Sequence, residues 1–450
     1  MMGLFSRRVL ASAVIAGLGI PSAALATNGY FLIGYGAKSR AMGGVGISYA
    51  QDGLVSASNP AAMVDVTDRF DIGGDIFLPV VASYNNSPNL PVNHESKAGM
   101  LGEGVFLVPN MGGVWKYSDE ITLGFSVVGA GLGTEFDQSC DNPDGTFFNF
   151  NCQNLTVNLA SDKVGVDLVQ MQMLPSIAYK INDQHSVGAT LAVGLQRFKA
   201  WGLGAFADLG FAAGTANVTN EGIAWSYGAG IRLGWLGKFN EDRLKVGVNY
   251  SSKVYMSEFD EYKNLFAEQG DFDIPENYGV GITFVATNDL DIVLDVTKTI
   301  YTGVASIANS GPQVVGGFFE CGDINCGALG KDQGLGFGWQ DQTVYKLGIN
   351  YSFNKNLDLK AGINYGETPI PKDQILFSLL APAVVEKHLS LGFTYLIKED
   401  MELSASYVHA FEETLTGPVA ATFSNLPAGV ENAAATMYQD SLGVSLGIKF

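Results

Sequence analysis

The stretch "SLGVSLGIKF" (residues 441–450) alternates strictly between two kinds of side chain. Apolar residues take every second position, and serine, glycine or lysine takes the positions between them. Because successive side chains of a β-strand point to opposite faces, this stretch predicts a strand with one apolar and one small or polar face. In a membrane barrel the apolar face would contact lipid and the other face would line the lumen.

The composition favours the membrane alternative over a soluble β-sandwich. The chain is 47% hydrophobic and only 16% charged, which would make a poor soluble surface. No stretch after residue 26 is apolar for the about 18 residues that a spanning helix needs. A net charge of −19 argues against nucleic acid as a partner, because such binding needs a basic face.

Six short polar turns, each between two alternating runs, predict pairs of strands. They are "YSDE" (117–120), "NDQH" (182–185), "FNED" (239–242), "TND" (287–289), "FNKN" (353–356) and "KED" (398–400). With a first strand at 69–84 and a last strand at the C-terminal end, the count is 14. We therefore predict an all-β fold, a 14-stranded antiparallel transmembrane β-barrel with short periplasmic turns and long outer loops. A closed barrel leaves no backbone edge unpaired in hydrocarbon.

The first 26 residues have the pattern of a secretory signal peptide. Arg7 and Arg8 precede an apolar run at 9–20, and "ALA" (24–26) fits a cleavage site. A retained anchor is the alternative. The final Phe450 resembles the terminal assembly signal of outer-membrane barrels, so we expect the protein in the outer membrane of a Gram-negative bacterium.

A barrel of 14 strands is too wide for its own side chains to fill. We therefore interpret residues 27–68 as an N-terminal hatch that plugs the lumen, and residues 69–450 as the barrel. Glycine is frequent between residues 29 and 53, which would let a plug fold tightly against the wall. At its end, Pro60 restricts the backbone, and the Asn59 side chain can satisfy irregular backbone groups.

The motif "GYFLIGYGAKSRAMGGVGISYAQDGLVSASNPAAM" (29–63) resembles the hatch of the FadL family of outer-membrane transporters of long-chain fatty acids and hydrocarbons. The resemblance continues in "VPNM" (108–111), "GLGTEF" (131–136), "PSIAYKIN" (175–182), "WQDQTVYKLGINY" (339–351) and "TPIPKD" (368–373). It implies a 14-stranded barrel, passive uptake of hydrophobic molecules, capture by outer loops, an internal pocket and lateral exit at a kink in the third strand. The hatch residues that carry it are Arg40, Ala41, Gly43, Gly44, Asn59, Pro60 and Ala61.

Two outer loops, "WGLGAFADLGFAAG" (201–214) and "EYKNLFAEQG" (261–270), are unusually apolar. Their large apolar side chains would leave water by packing on each other or on a ligand, and the two readings can coexist. The candidate ligand-binding residues are Trp201, Leu203, Phe206, Leu209, Phe211, Leu265 and Phe266. The expected partners are a hydrophobic small molecule (fatty acid, alkane or aromatic) and the surrounding outer-membrane lipid, and we expect a monomer without a cofactor.

Three cations are candidates for binding a carboxylate head group. The family has a basic residue near the end of its fifth strand, and Arg197 stands at the matching place. In strict alternation Arg197 falls on the same face of its strand as the lipid-facing residues. Either a bulge therefore turns it inward, or it lies above the membrane. Arg232 and Lys346 should face the lumen, either as partners of carboxylates or as ligand contacts. Some relatives have lysine where this chain has Gln340, which leaves room for an uncharged hydrocarbon.

Gly129, Gly131 and Gly133 recur at every second position of the predicted third strand. Glycine weakens a strand and permits a bend, so these residues mark the predicted lateral opening. The alternative is that they make room for the hatch.

The four cysteines form two local pairs, Cys140 with Cys152 and Cys321 with Cys326, each in a loop rich in glycine, asparagine and aspartate. In an exported protein they predict two disulfides. A zinc site is the alternative, but no histidine lies near either pair, and we expect no bound metal.

Two other functions compete with transport of hydrophobic compounds. An enzyme would need a catalytic set, but the four histidines, at 94, 185, 388 and 409, are not placed to share one with a serine and a carboxylate, so we expect no catalysis. A general or substrate-specific porin with an aqueous channel would need a charged constriction and no plug. A large steady conductance would favour the porin.

Overall fold

The computed structural model describes residues 28–85, 92–137, 163–204, 206, 211–212, 214–311, 313–315, 318–320, 328–418 and 432–450. In this part of the chain 14 strands form one closed antiparallel barrel, in which β1 and β14 pair from Arg69↔Lys449 to Asn85↔Ala433. The strands are β1 Arg69–Asn85, β2 Phe106–Lys116, β3 Ile121–Asp137, β4 Lys163–Lys180, β5 His185–Trp201, β6 Ala224–Phe239, β7 Leu244–Ser251, β8 Glu276–Thr287, β9 Leu290–Ile300, β10 Gln342–Asn354, β11 Leu357–Gly366, β12 Lys387–Lys398, β13 Met401–Pro418 and β14 Asn432–Lys449.

All six predicted turns join consecutive strands, so the predicted strand count is confirmed. The short strand Val92–Glu95 pairs with β1, Tyr255–Met256 pairs with β6, and Gln313–Val315 pairs with Phe318–Glu320. The helical pieces are α1 Gly36–Ala41, α2 Ala267–Gly270, α3 Ala305–Ala308 and α4 Ile375–Ser378, with 3-10 turns at Val55–Ala57, Pro60–Asp65, Asp260–Tyr262, Tyr301–Gly303 and Lys372–Gln374. None of the helices in the described ranges is long and apolar enough to cross a membrane.

The strands present an apolar face outward and a small or polar face inward. In β14, Leu442 and Val444 are 50% and 53% exposed, whereas Ser441 is 2% exposed. Exposed aromatic side chains form two girdles, one near the short turns and one near the opposite strand ends, as in membrane barrels. The first girdle includes Trp115, Tyr117, Tyr179, Phe239, Phe353 and Tyr395, and the second includes Trp225, Tyr227, Tyr278, Tyr345 and Tyr365.

The hydrogen-bonded wall is interrupted between β2 and β3. The two strands pair only from Met111↔Val127 to Lys116↔Thr122, although β3 continues to pair with β4 as far as Asp137. Above the gap, the amide of Lys97 donates to the carbonyl of Glu135 at 2.8 Å. The interruption therefore forms a bounded gap in the side of the barrel.

Residues 28–68, called here the N-terminal segment, lie inside the barrel. Hydrogen bonds join this segment to inward-facing residues on opposite sides of the wall, among them Asp295 of β9, Ser126 of β3 and Ser441 of β14. Most of its residues are buried. The segment thus fills the lumen at the level of the strands.

Candidate functional site

Glycines on the inner wall seat the N-terminal segment. At each of them a Cβ atom would lie under 3.0 Å from an atom of the segment, closer than real Cβ atoms come. Because close packing leaves no space for a methyl group, these positions hold the segment at a fixed distance. This glycine collar consists of Gly112, Gly124, Gly188, Gly234, Gly247, Gly279, Gly281, Gly348, Gly362 and Gly392.

Asn59 ties the last part of the segment to itself and to the wall. Its side-chain nitrogen donates to the carbonyls of Ile47 at 2.7 Å and Trp235 at 3.1 Å, and its oxygen accepts from the amide of Ala61 at 3.0 Å. Asn59 thereby caps the turn Pro60–Asp65, with Pro60 at the position where a missing N–H costs least. Each polar group of this buried side chain has a partner.

The first part of the segment is fixed by the contacts of Arg40 with the wall and by glycines in conformations that other residues rarely adopt. The Arg40 side chain donates to Ser441 Oγ at 2.6 Å, and its Nε lies 3.2 Å from Asp75 Oδ1. Ala41 packs against the collar glycine of β12. Gly43 and Gly44 have φ angles of 71° and 86°, which side chains rarely adopt. All seven residues predicted for the hatch therefore lie within this seat.

An apolar cavity lies above the segment, beneath the long loops. None of the described residues that line it is charged. Its walls come from the tops of β3 to β5 and from four separate loops. The lining residues are Leu132, Val166, Leu168, Phe198, Leu203, Phe206, Leu265, Phe266, Phe272, Ser306, Leu329, Leu335, Gly336, Phe337, Phe377 and Leu380.

Four of the predicted loop residues, Leu203, Phe206, Leu265 and Phe266, line this cavity. Phe211 lies beside it, with ring centroids 6.0 Å from Phe206 and 5.8 Å from Phe377. Trp201 is not among the lining residues, and the Lys199 ammonium lies 5.2 Å from its ring centroid. Leu209 lies outside the described residues. The apolar loops therefore pack on each other and also enclose a space.

The part of the wall that comes from residues 328–337 and 375–380 was not predicted from the sequence. Phe377 packs against Phe206 with ring centroids 5.1 Å apart, and Leu380 lines the same space. The apolar run "ILFSLLAPAVV" (375–385), which lies in a loop, was a signal that could have identified it.

An aromatic layer forms the floor of the apolar cavity. It consists of Tyr30, Phe31, Phe272, Tyr301 and Trp339. Tyr30 stacks on Phe31 at 4.5 Å and lies 6.0 to 6.4 Å from the other three ring centroids. The Tyr301 hydroxyl donates to the carbonyl of Asn28 at 3.1 Å. The start of the N-terminal segment is therefore part of this floor.

A second cavity, which is polar, lies below the aromatic layer. Arg232 and Lys346 line it, so both face the lumen as their alternation predicts. Arg232 donates to the Ala57 carbonyl at 2.5 Å, and Lys346 to the Ile33 carbonyl at 2.9 Å. Both cations hold backbone carbonyls of the N-terminal segment.

Arg197 is not among the lining residues of either cavity. The pairing of β5 with β4 and with β6 shows no register shift at this residue, so no bulge turns it inward. Its side chain contacts Asp167 Oδ2 at 3.0 Å and is buried. The structure therefore does not bring the three candidate cations together, and head-group binding by Arg197 stays a prediction.

The gap between β2 and β3 is closed by side-chain packing. Gly129, Gly131 and Gly133 lie on the outward face of β3, and a Cβ on Gly129 would lie 3.6 Å from Val108 Cγ1. Val108 belongs to a buried apolar cluster that also contacts Leu32 of the N-terminal segment. Just below, at the last pair Met111↔Val127, an apolar groove runs along the outer wall.

An aspartate beside the aromatic layer is sensitive to pH. Burial, together with the neighbouring Asp273 and Glu268, raises the pKa of Asp271 to about 7. Because the folded state holds this proton more tightly than the unfolded chain, the stability of the loop should rise as pH falls from about 7 toward the usual aspartate pKa of about 4.

We therefore expect higher amide protection factors in residues 257–275 at pH 5.5 than at pH 8. Asp271→Asn should remove this difference, because asparagine does not titrate. Asp260→Asn, in an exposed part of the same loop, serves as the control and should keep it. Equal protection at the two pH values in the wild type would contradict the prediction.

The four cysteines, Cys140, Cys152, Cys321 and Cys326, lie outside the described residues, as does Leu209. The two predicted disulfides stay predictions.

The sequence matches the model of one protein family over residues 18–437. That family is described as outer membrane protein transport protein (OMPP1/FadL/TodX). A long-chain fatty acid transport protein of Escherichia coli O6:H1 is 24% identical, in an alignment that covers 94% of this chain and 95% of that protein.

Solved structures have the same fold. The Pseudomonas putida toluene transporter TodX superposes with a TM-score of 0.64 at 17% identity, covering 93% of this chain and 99% of that one. The Ralstonia pickettii toluene transporter TbuX gives 0.63 at 17% identity with the same coverage. A Pseudomonas aeruginosa FadL homologue gives 0.64 at 14% identity, covering 94% and 100%.

Proposed function

Because the chain belongs to the OMPP1/FadL/TodX family of outer membrane transport proteins, we propose that it takes up hydrophobic compounds passively through the two sites and the side gap described above. Family membership places it in the outer membrane as a transporter of fatty acids or hydrocarbons, and the members it matches are transporters rather than enzymes.

The apolar cavity carries this proposal. It lies beneath the outer loops, and none of its described lining residues is charged. Transfer of an apolar ligand from water into it is therefore favourable without any specific polar contact. Burial of each methylene contributes roughly 0.8 kcal/mol, which suffices for capture of an alkyl chain or an aromatic ring. Phe206 and Leu265 belong to the capturing wall.

In this proposal residues 27–68, which include the N-terminal segment, act as the hatch, and residues 1–26 act as a signal peptide that is removed. The glycine collar contacts residues 41–63, whereas Tyr30 and Phe31 pack in the aromatic layer. We infer that transport moves this first part and leaves the rest seated. Displacing the two rings would connect the apolar cavity to the space beside Val108.

The exit proposed for the ligand is the gap between β2 and β3. Opening it breaks no ladder hydrogen bond, because the strands are unpaired above Met111. The contacts that must separate are those of the apolar cluster around Val108, which include Gly129 and Val169. The apolar groove on the outer wall would then receive the ligand on the lipid side.

We expect cells that express the protein to take up labelled toluene or labelled oleate faster than cells without it. Gly129→Leu should reduce this uptake by about tenfold, because a larger side chain fills the gap in a packed wall. Val444→Leu, at an exposed position on the lipid-facing side of β14 and away from the gap, is the control. Unchanged uptake by an assembled Gly129→Leu variant would exclude this exit, and a large steady ion conductance of the wild type would exclude the transport mechanism.

A further inference from the structure

The outer loops contain a short left-handed turn. Glu268 and Gln269, in the middle of α2, have φ angles of 54° and 58° and ψ angles of 38°. In the described outer loops, every other residue with a positive φ is asparagine or glycine, the residues that adopt this conformation most readily. Such a backbone costs free energy and persists only where its surroundings hold it.

A second loop holds this turn. The amides of Glu268 and Gln269 donate to the carbonyls of Lys331 and Gly330, each at 3.1 Å. The side-chain nitrogen of Gln269 donates to Asp332 Oδ1 at 2.7 Å and to the Gly330 carbonyl at 3.2 Å. Four hydrogen bonds therefore join the two loops, and this contact is called here the loop seam.

Gly330 lets the two loops approach closely. Its φ angle is 82°, and a Cβ atom at this position would lie 2.6 Å from Asn264 Cα and from the carbonyl oxygen of Lys263. Backbone cannot move aside as a long side chain can, so a larger residue here would push the loops apart. The loop seam is thus both strained and tightly packed.

The loop seam lies between the apolar cavity and water. One loop contributes Leu265 and Phe266 to the cavity lining, and the other contributes Leu329 and Leu335. These four side chains are buried, whereas Gln269 is exposed. If the seam parted, two walls of the cavity would separate and a path from outside would open.

We propose that the loop seam is the entrance through which a hydrophobic compound reaches the apolar cavity, and that Gln269 and Asp332 keep this entrance closed between binding events. This inference rests on the proposed function and adds the point of entry and the residues that control it. The strain at Glu268 and Gln269 is released when the seam parts, which offsets part of the cost of the lost hydrogen bonds. The strain therefore favours opening, and the hydrogen bonds favour closure behind the ligand.

The test measures how fast an apolar probe enters and leaves the mature protein in amphipol. Stopped-flow energy transfer from tryptophan to N-phenyl-1-naphthylamine follows binding, and only the part of the signal that excess toluene abolishes is analysed. Asp332→Ala should raise the association and dissociation rates by about fivefold each, as expected for the loss of one exposed hydrogen bond that holds the closed state. The Kd should stay within about twofold of the wild type, because the cavity itself is unchanged.

Asp332→Asn is the conservative variant, because the asparagine oxygen can still accept from Gln269, and it should keep the wild-type rates. Gly330→Ala should speed both steps, because it forces the loops apart. Thr302→Val is the matched control and should change neither rate. It removes an exposed hydrogen bond to Asp341 at 2.7 Å in the same loop, away from the cavity lining.

Rates within about twofold of the wild type for both Asp332→Ala and Gly330→Ala would overturn the entrance and leave the apolar cavity standing as the capture site. A loss of affinity without a faster association rate would overturn it as well, because the seam would then only stabilise the loops. A wild-type protein without any signal that toluene abolishes would refute the proposed function together with this inference.

Discussion

Phe206→Glu should lose at least about 90% of the uptake of a hydrophobic compound while the barrel still assembles. The glutamate would lie in a cavity lined mainly by phenylalanine and leucine, with no cation among the described lining residues. Burial of an unpaired carboxylate costs several kcal/mol, so the side chain would draw water into the cavity or occupy its mouth. Uptake of labelled toluene or oleate measures the loss, and heat-modifiable migration on gels measures assembly.

Phe206→Leu is the matched variant, because it keeps the wall apolar and should retain most of the uptake. Leu265→Glu, in the other loop, should repeat the loss. If both glutamate variants assembled and transported normally, capture by this cavity would be wrong.

Gly362→Ala should unseat the N-terminal segment. A Cβ at this position would lie under 3.0 Å from backbone atoms of Met42 and Gly43. Backbone cannot rotate away as a flexible side chain can, so the segment must shift, at a cost of about 1–3 kcal/mol for overpacking. We expect protease cleavage within residues 36–44 and a measurable ion conductance in planar bilayers, neither of which we expect of the wild type.

Gly74→Ala is the control for this variant, because its Cβ would point outward and meet only ordinary contacts. Asn59→Ala should give a weaker form of the same defect, since it removes three hydrogen bonds and leaves the collar intact. A Gly362→Ala protein with the wild-type cleavage pattern and no conductance would show that the collar does not hold the segment.

The architecture of the barrel could be predicted because its determinants are local. Lipid on one side and a lumen on the other impose the alternation that residues 441–450 already carry, and each short turn joins two strands that are neighbours in sequence. The start of β1 at Arg69 follows from the same pattern. The last strand begins at Asn432, earlier than its alternation indicated, because its upper part pairs with β1 and β13 above the apolar band.

The candidate site was only partly predictable. The loop signal identified four of the lining residues, because large apolar side chains in an outer loop leave water by packing on each other or on a ligand. They are Leu203, Phe206, Leu265 and Phe266. Phe377 was missed, since its loop is more than 100 residues away and only closure of the barrel brings it to Phe206. Neither the composition nor the alternation of side chains could show on which side of the aromatic layer Arg232 and Lys346 lie.

By itself the sequence determined the class of fold and the strand number, because alternation and short turns act over a few residues. That residues 27–68 act as a hatch stays a proposal. The tertiary structure decided which glycines form the seat, that Arg232 and Lys346 lie in a cavity of their own while Arg197 pairs with Asp167, and where β2 leaves β3. These features depend on register and on contacts between opposite walls, which bring together residues that no local pattern connects.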